Sequence, residues 1–202
     1  MTNEGLLLDA GCGKSFGVLQ TLSNTTAFVG ADILRANVVN SKRRWKNFNY
    51  VVADIGCLPF RDSAFKGVLC IDVLEHLPDK PAKIGELARV TDKGGFFIGS
   101  TTNLLNPPLW LDAKMPFLAK PLVAKFAPGH YDRHDRFSPS KLVNVLISSK
   151  YRVDYLTLIG HPQFTQVKLP WFWRLWVLFD RLTNKNPLQY LKEIMIWQAT
   201  RV

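Results

Sequence analysis

The sequence predicts an α/β fold in which helices cover both faces of a parallel sheet. Short apolar runs alternate with stretches of helical periodicity over the first hundred residues, and several of these runs end in an acidic residue. A glycine-rich turn directly follows the first run. Strands that alternate with helices are typical of parallel sheets, because each return crossover needs a connection about as long as a helix.

Five strands are predicted in the first half of the chain. Each is a short apolar run bounded by turn residues, at Leu6–Leu8, Ala27–Asp32, Tyr50–Asp54, Gly67–Ile71 and Gly95–Ser100. Helices fit between them at about residues 15–22 and 34–46. A further helix is predicted at Lys80–Val90, where Ile84, Leu87 and Val90 recur at helical spacing.

The second half adds one helix, two strands and two insertions. The helix is predicted at Pro139–Ser149, because Ser138 is a suitable N-cap ahead of a proline at the first helical position. The strands are predicted at Tyr151–Ile159 and Ile194–Ala199. The remaining segments, about 104–136 and 163–190, are interpreted as insertions into a single domain of residues 1–202.

The composition excludes several classes of protein. A hydrophobic content of 47% is too high for a disordered chain. Three cysteines (Cys12, Cys57 and Cys70) indicate reduced thiols in a cytoplasmic protein rather than a disulfide scaffold. The N-terminus has no basic region, which argues against a signal peptide, and no apolar run reaches the roughly 20 residues of a membrane span. The sequence therefore predicts a soluble protein, at most peripheral at a membrane surface.

The positive charge is concentrated in the second half. The formal net charge is +10, of which +8 lies in residues 104–202 and +2 in residues 1–103. An anionic partner is therefore expected to meet the second half of the chain.

The glycine-rich turn, Asp9-Ala10-Gly11-Cys12-Gly13, has three competing interpretations. A P-loop needs a glycine where Leu8 stands, so it is rejected. A dinucleotide fingerprint needs a third glycine where Phe16 stands, and the Asp9 carboxylate is unsuited to a pyrophosphate. An adenosine with a cationic tail suits that carboxylate better, and S-adenosylmethionine is such a molecule.

Two further acids support the adenosine interpretation. Asp32 is predicted at the end of the second strand, where a carboxylate accepts hydrogen bonds from the hydroxyls of a ribose. Asp54 is predicted at the end of the third strand, where a carboxylate accepts from the exocyclic amine of adenine. Each acid alone would be interpreted as a helix cap or a loop residue. Together, at successive strand ends, they predict a nucleoside site.

The sequence resembles the class I S-adenosylmethionine-dependent methyltransferase family at five motifs in the family's order. These are Asp9–Gly13, Gly30–Ile33, Ala53–Phe60, Phe65–Leu77 and Lys93–Ile98. Ser15 stands where many members have a third glycine, and Lys66 replaces a usual aspartate. The resemblance covers about residues 6–103, with weaker similarity at 130–159 and 191–201.

This resemblance implies a doubly wound, mostly parallel, seven-stranded Rossmann-like sheet with an antiparallel last strand. It also implies roles around S-adenosylmethionine: backbone at Gly11, Cys12 and Gly13 beside the methionine part, with Asp9 near the amine. Asp32 would hold the ribose, with Ile33 against the adenine. Asp54 and Ile55 would hold the other side of the adenine, and Cys70 and Ile71 would lie under the methionine tail.

The predicted activity is methyl transfer to a small, hydrophobic or lipid-like acceptor. His76 and His130 are candidates for a general base, needed only if the acceptor must lose a proton. No metal site is predicted. The aromatic insertions suggest a lid over the acceptor, and residues 171–182 either pack internally or contact a membrane surface.

Two other functions stay open at this point. One is an RNA methyltransferase that uses the basic second half of the chain. The other is a protein without catalytic activity that binds a membrane or a partner through the same fold.

Overall fold

The strands and helices lie close to their predicted positions. The computed structural model describes residues 5–13, 27–107, 110, 114, 136–160, 177–179, 181–184 and 188–202. The strands are β1 (Leu7–Ala10), β2 (Phe28–Asp32), β3 (Asn49–Val52), β4 (Phe65–Ile71), β5 (Thr91–Thr102), β6 (Tyr151–Ile159) and β7 (Ile194–Arg201). The α-helices are α1 (Arg35–Arg44), α2 (Lys80–Val90) and α3 (Pro139–Ser148), with short 3₁₀ helices at Leu74–His76 and Leu188–Leu191. The helix predicted at 15–22 lies outside the described residues.

The seven strands form one sheet in the order β3-β2-β1-β4-β5-β7-β6. The first five strands pair in parallel, whereas β7 is antiparallel to both β5 and β6. The predicted doubly wound sheet with an antiparallel last strand is confirmed. The strand order reverses between β1 and β4, so the carboxyl ends of these strands form the switch point where such sheets bind ligands. We call this end of the sheet the carboxyl edge.

Apolar side chains are buried on both faces of the sheet, and the strands are therefore continuous hydrophobic runs in the sequence. One face packs against α2 and α3 through buried residues that include Phe97, Leu142, Leu146, Met195 and Trp197. The other face buries Leu7, Phe28 and Leu69 beside a cluster of aromatic residues. Buried side chains therefore pack on both faces of the sheet that ends at the carboxyl edge.

Strand β5 begins four residues before its predicted start at Gly95. Thr91 already pairs with Phe65, and the register shifts between Phe65 and Gly67. Gly94 has φ +73° and lies within the strand, at this irregularity. The predicted cap of α3 is confirmed, since the Ser138 hydroxyl accepts a hydrogen bond from the Lys141 N–H at 3.3 Å.

The described residues contain no helix that is both long and apolar enough to cross a bilayer. Cys12, Cys57 and Cys70 form no disulfide with one another.

Candidate functional site

The turn after β1 opens the carboxyl edge. Gly11 has φ +79° and Gly13 has φ +52°, conformations that side chains other than glycine rarely adopt. A Cβ on Gly11 would lie 2.5 Å from a methyl group of Val73, whereas a Cβ on Gly13 would meet none of the described residues within 4 Å. The amides of Gly11 and Cys12 both donate to the Ala31 carbonyl, at 2.8 and 3.0 Å. The turn is therefore anchored to β2, and Gly13 is uncrowded by the part of the chain that the structure describes.

The Asp32 carboxylate is fixed by donors on three sides. The Gly13 N–H donates to Oδ2 at 2.9 Å, and the Leu34 N–H and the Asn37 side-chain amide donate to Oδ1 at 2.8 and 3.2 Å. A carboxylate accepts about four hydrogen bonds, so it retains capacity for a further donor. The structure thus brings Asp32 and the glycine turn together, as predicted.

Asp9 is the unusual member of the site. Asp9 belongs to β1 and is only 4% exposed. No residue that the structure describes donates a hydrogen bond to its carboxylate. Burial, reinforced by the charge of Asp32, raises the pKa of Asp9 to about 7. A buried carboxylate without a donor is costly, and a nearby cation would relieve that cost.

Asp54 lies two residues beyond β3 and is half exposed. The Lys83 ammonium and the Gly56 N–H both donate to its Oδ1 at 2.7 Å, and chiefly the lysine contact lowers the pKa of this carboxyl. The Ala53 N–H donates to the Asp32 carbonyl at 3.0 Å, which holds the segment after β3 against the end of β2.

A guanidinium clamp fixes the rest of this loop. Arg89 donates to the Leu58 and Phe60 carbonyls at 3.1 and 2.8 Å, and to Asp62 at 2.7 Å. Glu86 accepts from Arg89 and also from the Leu58 N–H at 2.8 Å. The loop from Asp54 to Asp62 is consequently tied to α2 by both its backbone and a side chain.

Of the four residues predicted to lie against the adenine or the methionine tail, two are exposed and two are buried. The Ile33 side chain is 65% exposed and Ile71 is 37% exposed, so both are available at the carboxyl edge. Ile55 and Cys70 belong to the main core instead, and burial raises the pKa of the Cys70 thiol. Only the backbone of these two residues remains for a ligand.

The end of β4 carries two acidic residues without a predicted role, Asp72 and Glu75, beside the candidate base His76. Asp72 has φ +53°, and its carboxylate accepts from the Ser100 hydroxyl at 2.5 Å. Glu75 is buried and accepts from the Thr101 hydroxyl at 3.0 Å; burial raises the pKa of this carboxyl. His76 is exposed in the 3₁₀ helix beside Glu75. His130 lies outside the described residues.

A second buried carboxylate missed by the sequence reasoning is Glu193, at the start of β7. It is 8% exposed, and burial raises its pKa to about 8 although the charge of Arg136 opposes the shift. In the sequence it follows Lys192 as a charged pair ahead of an apolar strand, a pattern that indicates an exposed loop. No local signal marks it as buried.

Both insertions carry exposed apolar side chains. Within the described parts of these segments the exposed large apolar residues are Leu105, Trp110, Val177, Leu178, Leu182, Leu188 and Tyr190. Residues 171–182, expected either to pack internally or to contact a membrane surface, are described only at 177–179 and at residues 181 and 182.

The first half of the chain is similar to known methyltransferases. Residues 8–99 match a family model described as a methyltransferase domain. A probable S-adenosylmethionine-dependent methyltransferase of Mycolicibacterium smegmatis is 30% identical over 97 residues, which is 48% of this chain and 38% of that protein. A ubiquinone biosynthesis O-methyltransferase of Pectobacterium carotovorum is 26% identical over 174 residues, 80% of this chain and 70% of that one.

The fold agrees with solved structures over the whole chain. A putative methyltransferase from Bacillus halodurans superposes with a TM-score of 0.68 at 17% identity, covering 100% of this chain and 94% of that chain. In sequence, however, this chain spans only 35–51% of the length of the first curated relatives that it matches.

Proposed function

We propose that this chain is a class I S-adenosylmethionine-dependent methyltransferase and that it transfers a methyl group to a small apolar acceptor. The observation that carries the proposal is Asp9, a buried carboxylate with no donor from the described residues, two residues before a glycine turn that these residues leave uncrowded at Gly13. Such a carboxylate opposes a phosphate and favours a cation. A cofactor with a cationic amino acid tail and no phosphate fits both features.

The residues at the carboxyl edge suit the other parts of that cofactor. Asp32 is held by three donors with capacity for a ribose hydroxyl, and the exposed Ile33 beside it offers an apolar surface to a base. The Asp54 loop is kept in place by the Arg89 clamp, so Asp54 and the backbone of Ile55 are oriented in advance for the adenine. When bound, the cofactor supplies an electrophilic methyl group on a sulfonium.

The contribution of the protein is mainly positional. An in-line displacement needs the nucleophile, methyl carbon and sulfur held on one line, and such positioning contributes about 7–11 kcal/mol to lowering a barrier. A sheet covered on both faces holds the carboxyl edge stiffly enough for this purpose. Residues 104–136 and 163–190 are proposed to cap the site and exclude water.

Exposed apolar side chains in both insertions favour a hydrophobic or lipid-like acceptor. Seven large apolar residues are exposed in the described parts of these segments alone. A relative named for ubiquinone biosynthesis supports an acceptor of this character. Contact of residues 171–182 with a membrane stays a prediction.

The proposal is tested by transfer of labelled methyl from S-adenosylmethionine. The purified chain is incubated with an apolar lipid extract, with polar metabolites and with bulk RNA, each beside the variants Asp32→Ala and Asp92→Asn. Asp92 lies near the start of β5, away from the carboxyl edge, and serves as the matched control. Label in the apolar fraction, lost in Asp32→Ala but kept in Asp92→Asn, is the expected result. Label in RNA, with a steep dependence on salt, would overturn the acceptor class.

A further inference from the structure

The carboxyl group of Glu193 stands out among the groups at the carboxyl edge without an assigned role. The residue is 8% exposed, and none of the described residues gives its carboxylate a hydrogen bond. The other buried glutamate at this edge, Glu75, accepts from Thr101. Glu193 therefore shares with Asp9 the condition of a buried acid that lacks a donor.

The backbone around Glu193 is held in place by two asparagines. The Asn103 N–H donates to the Glu193 carbonyl at 2.7 Å. The Asn103 side chain donates to the carbonyls of Tyr190 and Lys192, both at 2.7 Å, and the Asn106 side chain donates to the Leu191 carbonyl at 3.0 Å. A carboxyl group that is costly to bury is thus presented on a fixed segment, as functional side chains generally are.

The register of the sheet places this carboxyl beside the polar end of β4 and β5. Thr101 pairs with Met195 and Thr102 with Ile194, so the Asn103–Glu193 contact continues the same antiparallel pairing by one residue. Alternation along the strand then puts Glu193 on the face of Met195 and Thr101. Thr101 is the residue whose hydroxyl contacts Glu75, immediately before His76.

The charged groups around Glu193 do not neutralise it. Lys192 points its ammonium to the Asn184 side chain, with 2.6 Å between Nζ and Oδ1. Arg136 acts on the carboxyl only through its charge, and that attraction is outweighed by burial. Glu75 is itself acidic. The donor that would satisfy Glu193 is therefore expected to come from a ligand.

The chemistry of methyl transfer indicates whether that donor is a hydroxyl or an amine of the acceptor. A hydroxyl must lose its proton as it is methylated, and a carboxylate accepts that proton. A neutral amine attacks through its nitrogen lone pair without first losing a proton, so a carboxylate base assists it less than it assists a hydroxyl.

We propose that Glu193 accepts the proton of a hydroxyl group on the acceptor, so that the reaction is an O-methylation. The oxygen forms its bond to the methyl carbon while the bond from that carbon to sulfur breaks, its electrons remaining on sulfur. The hydroxyl proton passes to the Glu193 carboxylate and then to solvent. This inference rests on the proposed function.

The raised pKa of Glu193, about 8, suits the role, because a general base works best when its pKa lies near the working pH. The direction of the pKa shift determines how Glu193 changes the stability of the fold with pH. The carboxyl is more readily protonated in the folded chain than in the unfolded one, so stability falls as pH rises from about 4.5 through 8.

The test uses the full chain with an alkylcatechol and the matching alkylaniline as acceptors. It compares the wild type with Glu193→Gln, Glu193→Asp and the exposed control Asp154→Asn. We expect all four to bind S-adenosylhomocysteine within about twofold by calorimetry. Glu193→Gln should lower kcat on the catechol by about 100-fold or more and abolish the rise of kcat through pH 8. Glu193→Asp should recover part of the rate.

A readout independent of activity is the unfolding temperature as a function of pH. Glu193→Gln should gain stability over the wild type as pH rises to 8, and Asp154→Asn should not. The inference is overturned if Glu193→Gln keeps the kcat and pH profile of the wild type, or if the wild type methylates the aniline but not the catechol. It is also overturned if the wild type binds S-adenosylhomocysteine yet methylates neither. Failure of a folded wild type to bind S-adenosylhomocysteine would instead mark failure of the proposed function.

Discussion

Replacing Asp9 with asparagine should stabilise the protein at neutral pH and remove its affinity for cofactor. The Asp9 pKa is raised from 3.8 to about 7, and each unit corresponds to about 1.36 kcal/mol. The ionised carboxylate therefore destabilises the fold by up to about 4 kcal/mol above pH 7. An asparagine amide carries no charge at any pH and avoids this cost, although its own burial keeps the gain below that limit.

The sign of the pH dependence follows from the direction of the shift. Because the folded chain binds the Asp9 proton more tightly than the unfolded chain does, the contribution of Asp9 to stability is fully present below pH 3.8 and is lost as pH rises through 7. Unfolding in urea at pH 5 and pH 8 measures this. The stability difference between Asp9→Asn and the wild type should grow between the two pH values, whereas Asp92→Asn should track the wild type.

Binding should be linked to the same proton. A cation beside Asp9 favours the carboxylate, so binding of S-adenosylhomocysteine near pH 6 should release close to one proton. Calorimetry in buffers of different ionisation enthalpy counts that proton. The affinity of the wild type should fall by up to about tenfold for each pH unit below 7. An Asp9→Asn variant that binds as tightly as the wild type, with no stability gain at pH 8, would refute the reasoning.

Three further substitutions probe the framework. Gly11→Ala would place a methyl 2.5 Å from Val73 and strain a positive φ, so we expect a loss of about 1–3 kcal/mol in unfolding free energy and loss of S-adenosylhomocysteine binding by calorimetry. Arg89→Ala removes two loop-carbonyl contacts and should weaken S-adenosylhomocysteine binding several-fold with Arg89→Lys intermediate; equal affinity in all three would contradict the clamp. Ser138→Ala should cost about 1 kcal/mol of stability in a urea titration and leave cofactor affinity unchanged, since the cap lies in α3.

The fold was largely predictable because its signals are local. All seven predicted strands are present, and α2 spans Lys80–Val90 as its apolar spacing indicates. The bulge in β5 was not predictable, since Gly94 within a strand and Gly94 in a turn look alike in a sequence. Only the pairing with β4 decides between the two.

The sequence indicated which strand ends form the candidate site, but not which side chains contact one another there. Strand ends placed Asp9, Asp32 and Asp54 at one edge, because the carboxyl ends of parallel strands coincide there. Whether a side chain faces the ligand or the core depends on packing, and Ile55 therefore proved to be a core residue. The Asp54–Lys83 ion pair joins groups far apart in the chain, and no local pattern announces it.

The most direct test of the central claim is titration calorimetry of S-adenosylhomocysteine into the wild type and Asp32→Ala, with NAD as the control ligand. We predict binding to the wild type, loss of that binding in Asp32→Ala, and no binding of NAD. Equal binding by both proteins, or none by a folded wild type, would contradict an S-adenosylmethionine site at the carboxyl edge of this sheet.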